Sequence, residues 1–336
     1  MTISLRWLVC LGLFTLGSPA FCLSVGDEVP GLVVKTVLQH GPALLEPFML
    51  KQYRGGTIIL VCWKETGASG TAKRKVHEEL AALIQEYRGK GVLVLGVSDD
   101  KDLVLKGSGE MGLRAPILIL SPAELQKLGP VEDFVRRRLV VDERGRLAAE
   151  GQPPTLKDPI AKLQEKRTPY GRWMTLTQPY FTLFSTVARV QAAQQSINEG
   201  KIGSALAKAR LMAKDTKDEA LANEAKYVVD TCDAWLNEAT AIETAALAIG
   251  DAYTASVVAT QVAALTTGDE SSTAAKERLK AHKTDPSFAL SKDFYDTWSK
   301  TWPMPKDAGD TVLQKWADKH QNSSFATMVA SWLSLK

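Results

Sequence analysis

Two apolar runs, Thr57-Ile-Ile-Leu-Val-Cys-Trp63 and Val92-Leu-Val-Leu-Gly-Val97, constrain this chain more than any other feature. Neither alternates apolar with polar residues, so each reads as a buried strand. Between them Val76, Leu80, Leu83, Ile84 and Tyr87 recur at helical spacing over residues 71–88, and Gly89-Lys-Gly91 ends that helix with glycine as its natural cap. Pro116-Ile-Leu-Ile-Leu120 reads as a third strand and Arg138-Leu-Val-Val-Asp142 as a fourth. Glu143-Arg-Gly145-Arg turns the fourth into a fifth at 147–150, and residues 156–166 read as a closing helix. A strand–helix–strand followed by a hairpin predicts a mixed central sheet with helices packed on it over residues 23–166, an α/β domain.

Beyond this region the composition changes. Residues 167–180 carry Pro169, Gly171 and Pro179 and read as a linker; after it alanine dominates and β-rich runs vanish. Helices are expected at about 180–199, 202–215, 217–249, 252–267, 270–283, 287–302, 308–320 and 323–334, with Gly200, Gly250, Gly268, Pro286 and the pair Pro303 and Pro305 at the breaks. An all-α, repeat-like domain over 181–336 follows. Gly200-Lys-Ile-Gly-Ser-Ala205 aligns with Gly250-Asp-Ala-Tyr-Thr-Ala255, and in the same register Ala209 meets Ala259 and Ala213 meets Ala263. Ser271-Ser-Thr-Ala274 returns loosely as Ser323-Ser-Phe-Ala326. Small residues at fixed places let paired helices approach closely, as in helical solenoids. Trp298 and Trp302 share one helix face and read as core or as the seam between domains.

Of 336 residues, 41 are Lys or Arg and 38 Asp or Glu, a balance that leaves no footprint for nucleic acid. The four cysteines, Cys10, Cys22, Cys62 and Cys232, are too few and too scattered for a disulfide scaffold or a zinc site. His40, His77, His282 and His320 are dispersed, so no metal or other cofactor is expected. Residues 1–20 combine Arg6, an apolar run from Trp7 to Leu16, and small residues before Phe21, which reads as a secretory signal peptide cut after Ala20 or, as second choice, after Cys22. The run is about half of the ~20 residues that span a bilayer, and no other segment is expected to cross one. The mature chain is therefore expected in an oxidising compartment, the periplasm or envelope, where lone thiols persist when buried. Cys62 in its strand and Cys232 on an alanine-rich helix read as small core residues; a bridge between them stays open.

The stretch from Ile58 through Trp63 and Leu80 to Ser98 resembles the thioredoxin-like fold. More narrowly it resembles exported thiol reductases and thiol-specific antioxidant proteins, supported by Val25-Gly-Asp-Glu-Val-Pro30, Ala115-Pro116 and the Leu139–Arg146 hairpin. The second half is similar to the tetratricopeptide-like helical extensions that follow such domains in some bacterial proteins. The resemblance implies two cysteines with two residues between them, at a helix N-terminus shortly after Trp63, where the helix dipole makes a thiolate. This chain has Ser69, Gly70, Thr71 and Ala72 there, with Ser69 on the attacking and Ala72 on the resolving position after a two-residue insertion. No cysteine occurs between Cys62 and Cys232. The cis-proline that the family sets opposite its cysteines falls on Arg136, where a cis bond costs about 2.5–4 kcal/mol. The Thr and Pro of the peroxidase relatives fall on Ile59 and Gly55. His77, beside Glu78 and Glu79, reads as a solvent-facing histidine and not as a base for Ser69.

Lys73, Arg74 and Lys75 open the helix after this degenerate site, and Arg136, Arg137 and Arg138 approach from the neighbouring loop. Strand alternation sends Arg137 away from the other two. Lys73, Arg74, Arg136 and Arg138 are the expected lining of an anion- or partner-receiving patch. The expected function is non-catalytic: a redox-inactive thioredoxin-like interaction or scaffold module with a protein partner. The alternative is a divergent thiol-disulfide oxidoreductase or peroxidase-family enzyme.

Overall fold

The computed structural model describes residues 23–38, 48–64, 70–87, 90–110, 116–129, 137–165, 167–176, 178–179, 181, 185–215 and 217–333. The signal-peptide reading, Cys10, Cys22, Ser69 and Arg136 lie outside them.

The first half is a six-stranded mixed sheet. Its strands are β1 (Val34–Leu38), β2 (Thr57–Cys62), β3 (Val92–Ser98), β4 (Ile117–Leu120), β5 (Arg137–Val141) and β6 (Leu147–Glu150), in the spatial order β1-β4-β3-β2-β5-β6. The two apolar runs are the central neighbours β2 and β3. They pair in parallel from Thr57↔Val92 to Cys62↔Val97, and helix α1 (Gly70–Tyr87) crosses between them. β5 runs antiparallel to β2, and β6 antiparallel to β5, as the hairpin sequence predicts. β1 pairs antiparallel with β4 at the far edge. The sequence reading did not find β1, because Val34-Lys-Thr-Val-Leu38 is a half-exposed edge without a continuous apolar run.

Alternation gives each face of the sheet its own core. Ile59, Val61, Trp63, Val94 and Val140 meet α1 through Val76, Leu80 and Leu83. The same face meets Val104 of α2 (Lys101–Glu110) and Leu156 and Ile160 of α4 (Pro153–Gln164). Ile58, Leu60, Cys62, Leu95 and Leu139 point to the other face, under Leu23, Phe48, Tyr53 and Leu125 of α3 (Pro122–Gln126). α4 starts three residues earlier than expected because Pro153 and Pro154 occupy its first turn, where no N–H is needed.

The second half is helical throughout: α6 (Ala188–Asn198), α7 (Ile202–Met212), α8 (Glu219–Ala248), α9 (Ala252–Leu265), α10 (Glu270–Thr284), α11 (Phe288–Thr301), α12 (Lys306–Lys319) and α13 (Ser324–Leu333). Three starts are fixed by aspartate caps, where Asp218, Asp251 and Asp269 accept the N–H of Leu221, Thr254 and Ser271, each at 3.0 Å. The aligned glycines are structural equivalents. Gly200 and Gly250 follow α6 and α8 in left-handed conformations (φ 83° and 74°), and the next helices bury Ala205 and Ala209, and Ala255 and Ala259.

The expected linker is the main departure. Residues 169–175 form helix α5 (Pro169–Thr175), which is buried between the two halves. Its backbone meets the sheet so closely that a Cβ on Gly171 would fall 1.7 Å from the Gly55 carbonyl carbon. Thr168 N–H donates to the Gly55 carbonyl at 3.0 Å, and Thr175 Oγ1 donates to the Gly91 carbonyl at 2.8 Å. On its other side Trp173 packs near Trp235 of α8, and Arg172 pairs with Glu238 at 2.6 Å. Met174 touches the sheet core and two helical cores at once. The periodic pattern was too short to reveal this helix, and Pro169 and Gly171, read as breakers, are its first-turn residue and its point of close contact.

Candidate functional site

In a parallel β-α-β unit, chemistry collects beyond the C-terminal ends of the strands, where the next helix begins. Here that end carries Cys62, Trp63 and Lys64, then Gly70, Thr71, Ala72 and Lys73 at the start of α1. α5 and the helical half attach at the opposite end, at Gly55 and Gly91 before β2 and β3, roughly 20 Å away across six residues of strand. Gly70 and Thr71 are exposed, and Ala72 and Lys73 are half-buried.

Cys62 and Trp63 leave β2 toward opposite faces. Trp63 goes to the α1 side, 1 % exposed, and lies across β3 at Gly96. A Cβ on Gly96 would come within 2.8 Å of Trp63 Cη2 and 2.9 Å of Ile117 Cγ1, which explains a glycine in the middle of a buried strand. The ring of His77 meets Trp63 edge-on with centroids 5.4 Å apart. His77 is 1 % exposed, correcting the solvent-facing reading. The signal was present: His77, Leu80, Ile84 and Tyr87 form their own i, i+3, i+7, i+10 stripe.

Cys62 goes to the face away from α1 and is fully buried, so the α1 N-terminus does not act on its thiol. Burial pushes the thiol up to about 12, against a smaller opposing effect of Arg138 and Arg137. At neutral pH the buried thiol therefore stays protonated. Cys62 is in no disulfide, and Cys232 belongs to a separate core of α6, α7 and α8, so no bridge joins the two.

Of the four cations expected to line one patch, Arg136 lies outside the described residues and Arg138 is drawn into the core. Arg138 is 1 % exposed and lies under α1, where its Nε and terminal nitrogen both donate to the Glu79 carboxylate. It is a structural ion-pair partner, not a surface cation; Glu79, which the sequence reading passed over, is its reason. Arg74 is exposed and pairs with Glu78 one turn on, at 2.8 Å. Arg137 leaves toward the opposite face, as alternation requires. There it bonds Glu150 and the carbonyls of Leu128 and Leu23, at 2.6 to 3.0 Å. Of the expected cations, half-buried Lys73 and exposed Arg74 are the described ones that stay at this end.

Among the described residues no group of three or more His, Cys, Asp or Glu gathers as metal ligands. No helix there is long and apolar enough to cross a membrane. In the helical half, Glu243 of α8 is buried and accepts from Arg278 Nε (2.9 Å) and bonds His282 Nε2 (2.8 Å), both on α10. These groups satisfy one another and hold two helices together.

No family model and no curated protein matches the chain by sequence. Solved structures do. The thioredoxin domain of a thiol-disulfide oxidoreductase from Bacteroides vulgatus is 17% identical over 42% of this chain and 97% of its own, with TM-score 0.31. A thiol:disulfide interchange protein from a Bacteroides species is 19% identical over 43% of this chain and 91% of its own, with TM-score 0.32. The strand order itself, a parallel β2-α1-β3 unit flanked on one side by the antiparallel pair β5-β6 and closed by α4, carries the assignment. The N-terminal half has a thioredoxin-like fold, and the remainder is an all-α domain riveted to it through α5.

Proposed function

We propose that this protein is an exported, redox-inactive thioredoxin-like scaffold that works by binding a protein partner in the periplasm or envelope. One observation carries the reading: α1 opens on Gly70, Thr71 and Ala72 with no thiol, and the nearest thiol, Cys62, is sealed on the wrong face of the sheet. A thiol reductase needs a thiolate that is exposed and stabilised by a helix N-terminus or a cation. Cys62 has neither the exposure nor the helix.

The partner surface in this reading is the free end of the sheet, with Lys73 and Arg74 beside the α1 N-terminus favouring an acidic partner segment. The helical half is attached at the other end, through Gly55 and Gly91. Export rests on the N-terminal segment of the sequence. No cofactor belongs to this reading.

The test is disulfide reductase turnover. The mature protein, assayed on insulin with a thiol reductant as the electron source, is expected to match the uncatalysed background, and Cys62→Ser is expected to match it too. Turnover above background that disappears in Cys62→Ser establishes the divergent oxidoreductase instead.

A further inference from the structure

Asp251 is a fully buried carboxylate that the scaffold reading does not use. It caps α9, accepting the Thr254 N–H at 3.0 Å, and accepts the Tyr295 hydroxyl of α11 at 2.7 Å. Tyr295 in turn stacks on Tyr170 of α5, with ring centroids 4.6 Å apart, and Tyr170 also meets Trp298 edge-on at 5.2 Å. A chain of contacts therefore runs from Asp251 to the helix that rivets the two halves.

The titratable groups facing this carboxylate are phenols: Tyr295 from α11, Tyr170 from α5, Tyr253 from α9 itself and, behind Tyr170, Tyr53 of the sheet half. The nearby ionic groups are engaged elsewhere. Glu243 of α8 holds Arg278 and His282 of α10, Arg172 of α5 holds Glu238, Lys292 of α11 holds Asp296, and Asp285 after α10 accepts from Ser287. Among the described residues no cation lies at ion-pair distance from Asp251. A charged carboxylate here is dehydrated without a counter-charge, which is costly, whereas the protonated acid keeps the same hydrogen-bonding neighbours without that cost.

We propose that Asp251 makes the junction between the two halves a pH-dependent latch, tighter when the carboxyl is protonated and looser when it ionises. Burial raises the Asp251 carboxyl above its ordinary value, against smaller opposing effects of its bonds to Thr254 and Tyr295. The sign follows by linkage. A folded state that holds its proton more tightly than the unfolded chain loses stability as pH rises from the unfolded value, about 3.9, through the raised folded value, and is level above it.

The experiment compares the full chain with Asp251→Asn, whose carbonyl oxygen keeps the cap on Thr254 N–H while its amide NH2 faces Tyr295 and donates to the phenol oxygen, and which cannot ionise. Urea midpoints are measured from about pH 4 to about pH 7.5. The variant's advantage over the native chain is expected to widen as pH rises. A gap that stays constant or narrows overturns the proposal. Amide exchange of residues 168–176, normalised for intrinsic rate, gives the second readout. The native α5 is expected to lose protection with rising pH while the variant keeps it; equal α5 protection in both at every pH removes the latch even if Asp251 titrates. Tyr295→Phe removes one hydrogen bond from the charged form and is expected to steepen the native pH dependence; a flatter one counts against the proposal.

Discussion

At the end of β2 one peptide step separates two different fates. Cys62 turns into the core beneath Phe48 and Tyr53, and Trp63 turns toward α1. The same alternation sorts Arg137 from Arg138. Arg138, carried under α1, survives burial only because Glu79 supplies a two-pronged partner. Breaking such a pair from one side leaves an uncompensated charge, whereas replacing both members by apolar residues is often nearly neutral. Arg138→Met alone is therefore expected to lower unfolding free energy by about 3 kcal/mol, and the double variant Arg138→Met with Glu79→Met to recover most of it. Urea unfolding of the four members of this cycle checks the coupling; single and double variants of equal stability refute it. The burial of Arg138 takes it from the outer surface, and strand alternation sends its neighbour Arg137 to the opposite face of the sheet.

Among the elements, α5 carries the most consequence for its length. Seven residues join three hydrophobic cores, and the closest backbone approach is at Gly171. Gly171→Ala is expected to push α5 off the Gly55–Gly56 turn and to cost about 2–3 kcal/mol. The native chain is expected to unfold in one transition and the variant in two. Differential scanning calorimetry reads both effects, and a single unshifted transition in the variant contradicts this account of the junction. The elements that periodicity and apolar runs reveal, β2 to β6, α1, α4 and the helices from α6 onward, were legible because each buries a face of its own. β1, α5 and the short helices α2 and α3 were not. β1 pairs at an edge, where its side chains are only half-buried, and α5 is held by backbone contacts to glycines far away in sequence. The missing cysteines were legible outright, because an absence of thiols is read by inspection. The ion pair Arg138–Glu79 and the burial of His77 were not, since both depend on which strand lies under which turn of α1.

Across the whole molecule, the helical domain attaches at the N-terminal end of the central strands, at Gly55 and Gly91, opposite the end where α1 begins. What stands at that far end is a helix start on Gly70, Thr71 and Ala72 without a thiol, above a sheet whose one cysteine faces away. The most direct test of this vacated site follows Cys62 itself. The protein is equilibrated in glutathione buffers from reducing to oxidising, labelled with a small alkylating reagent under native conditions, and the Cys62 peptide is read by mass. Cys62 is predicted to remain an unlabelled, unmodified thiol at every buffer composition and to label at the rate of an ordinary thiol only once the chain is unfolded. A glutathione adduct, a disulfide, or native labelling as fast as that of an exposed thiol contradicts the account.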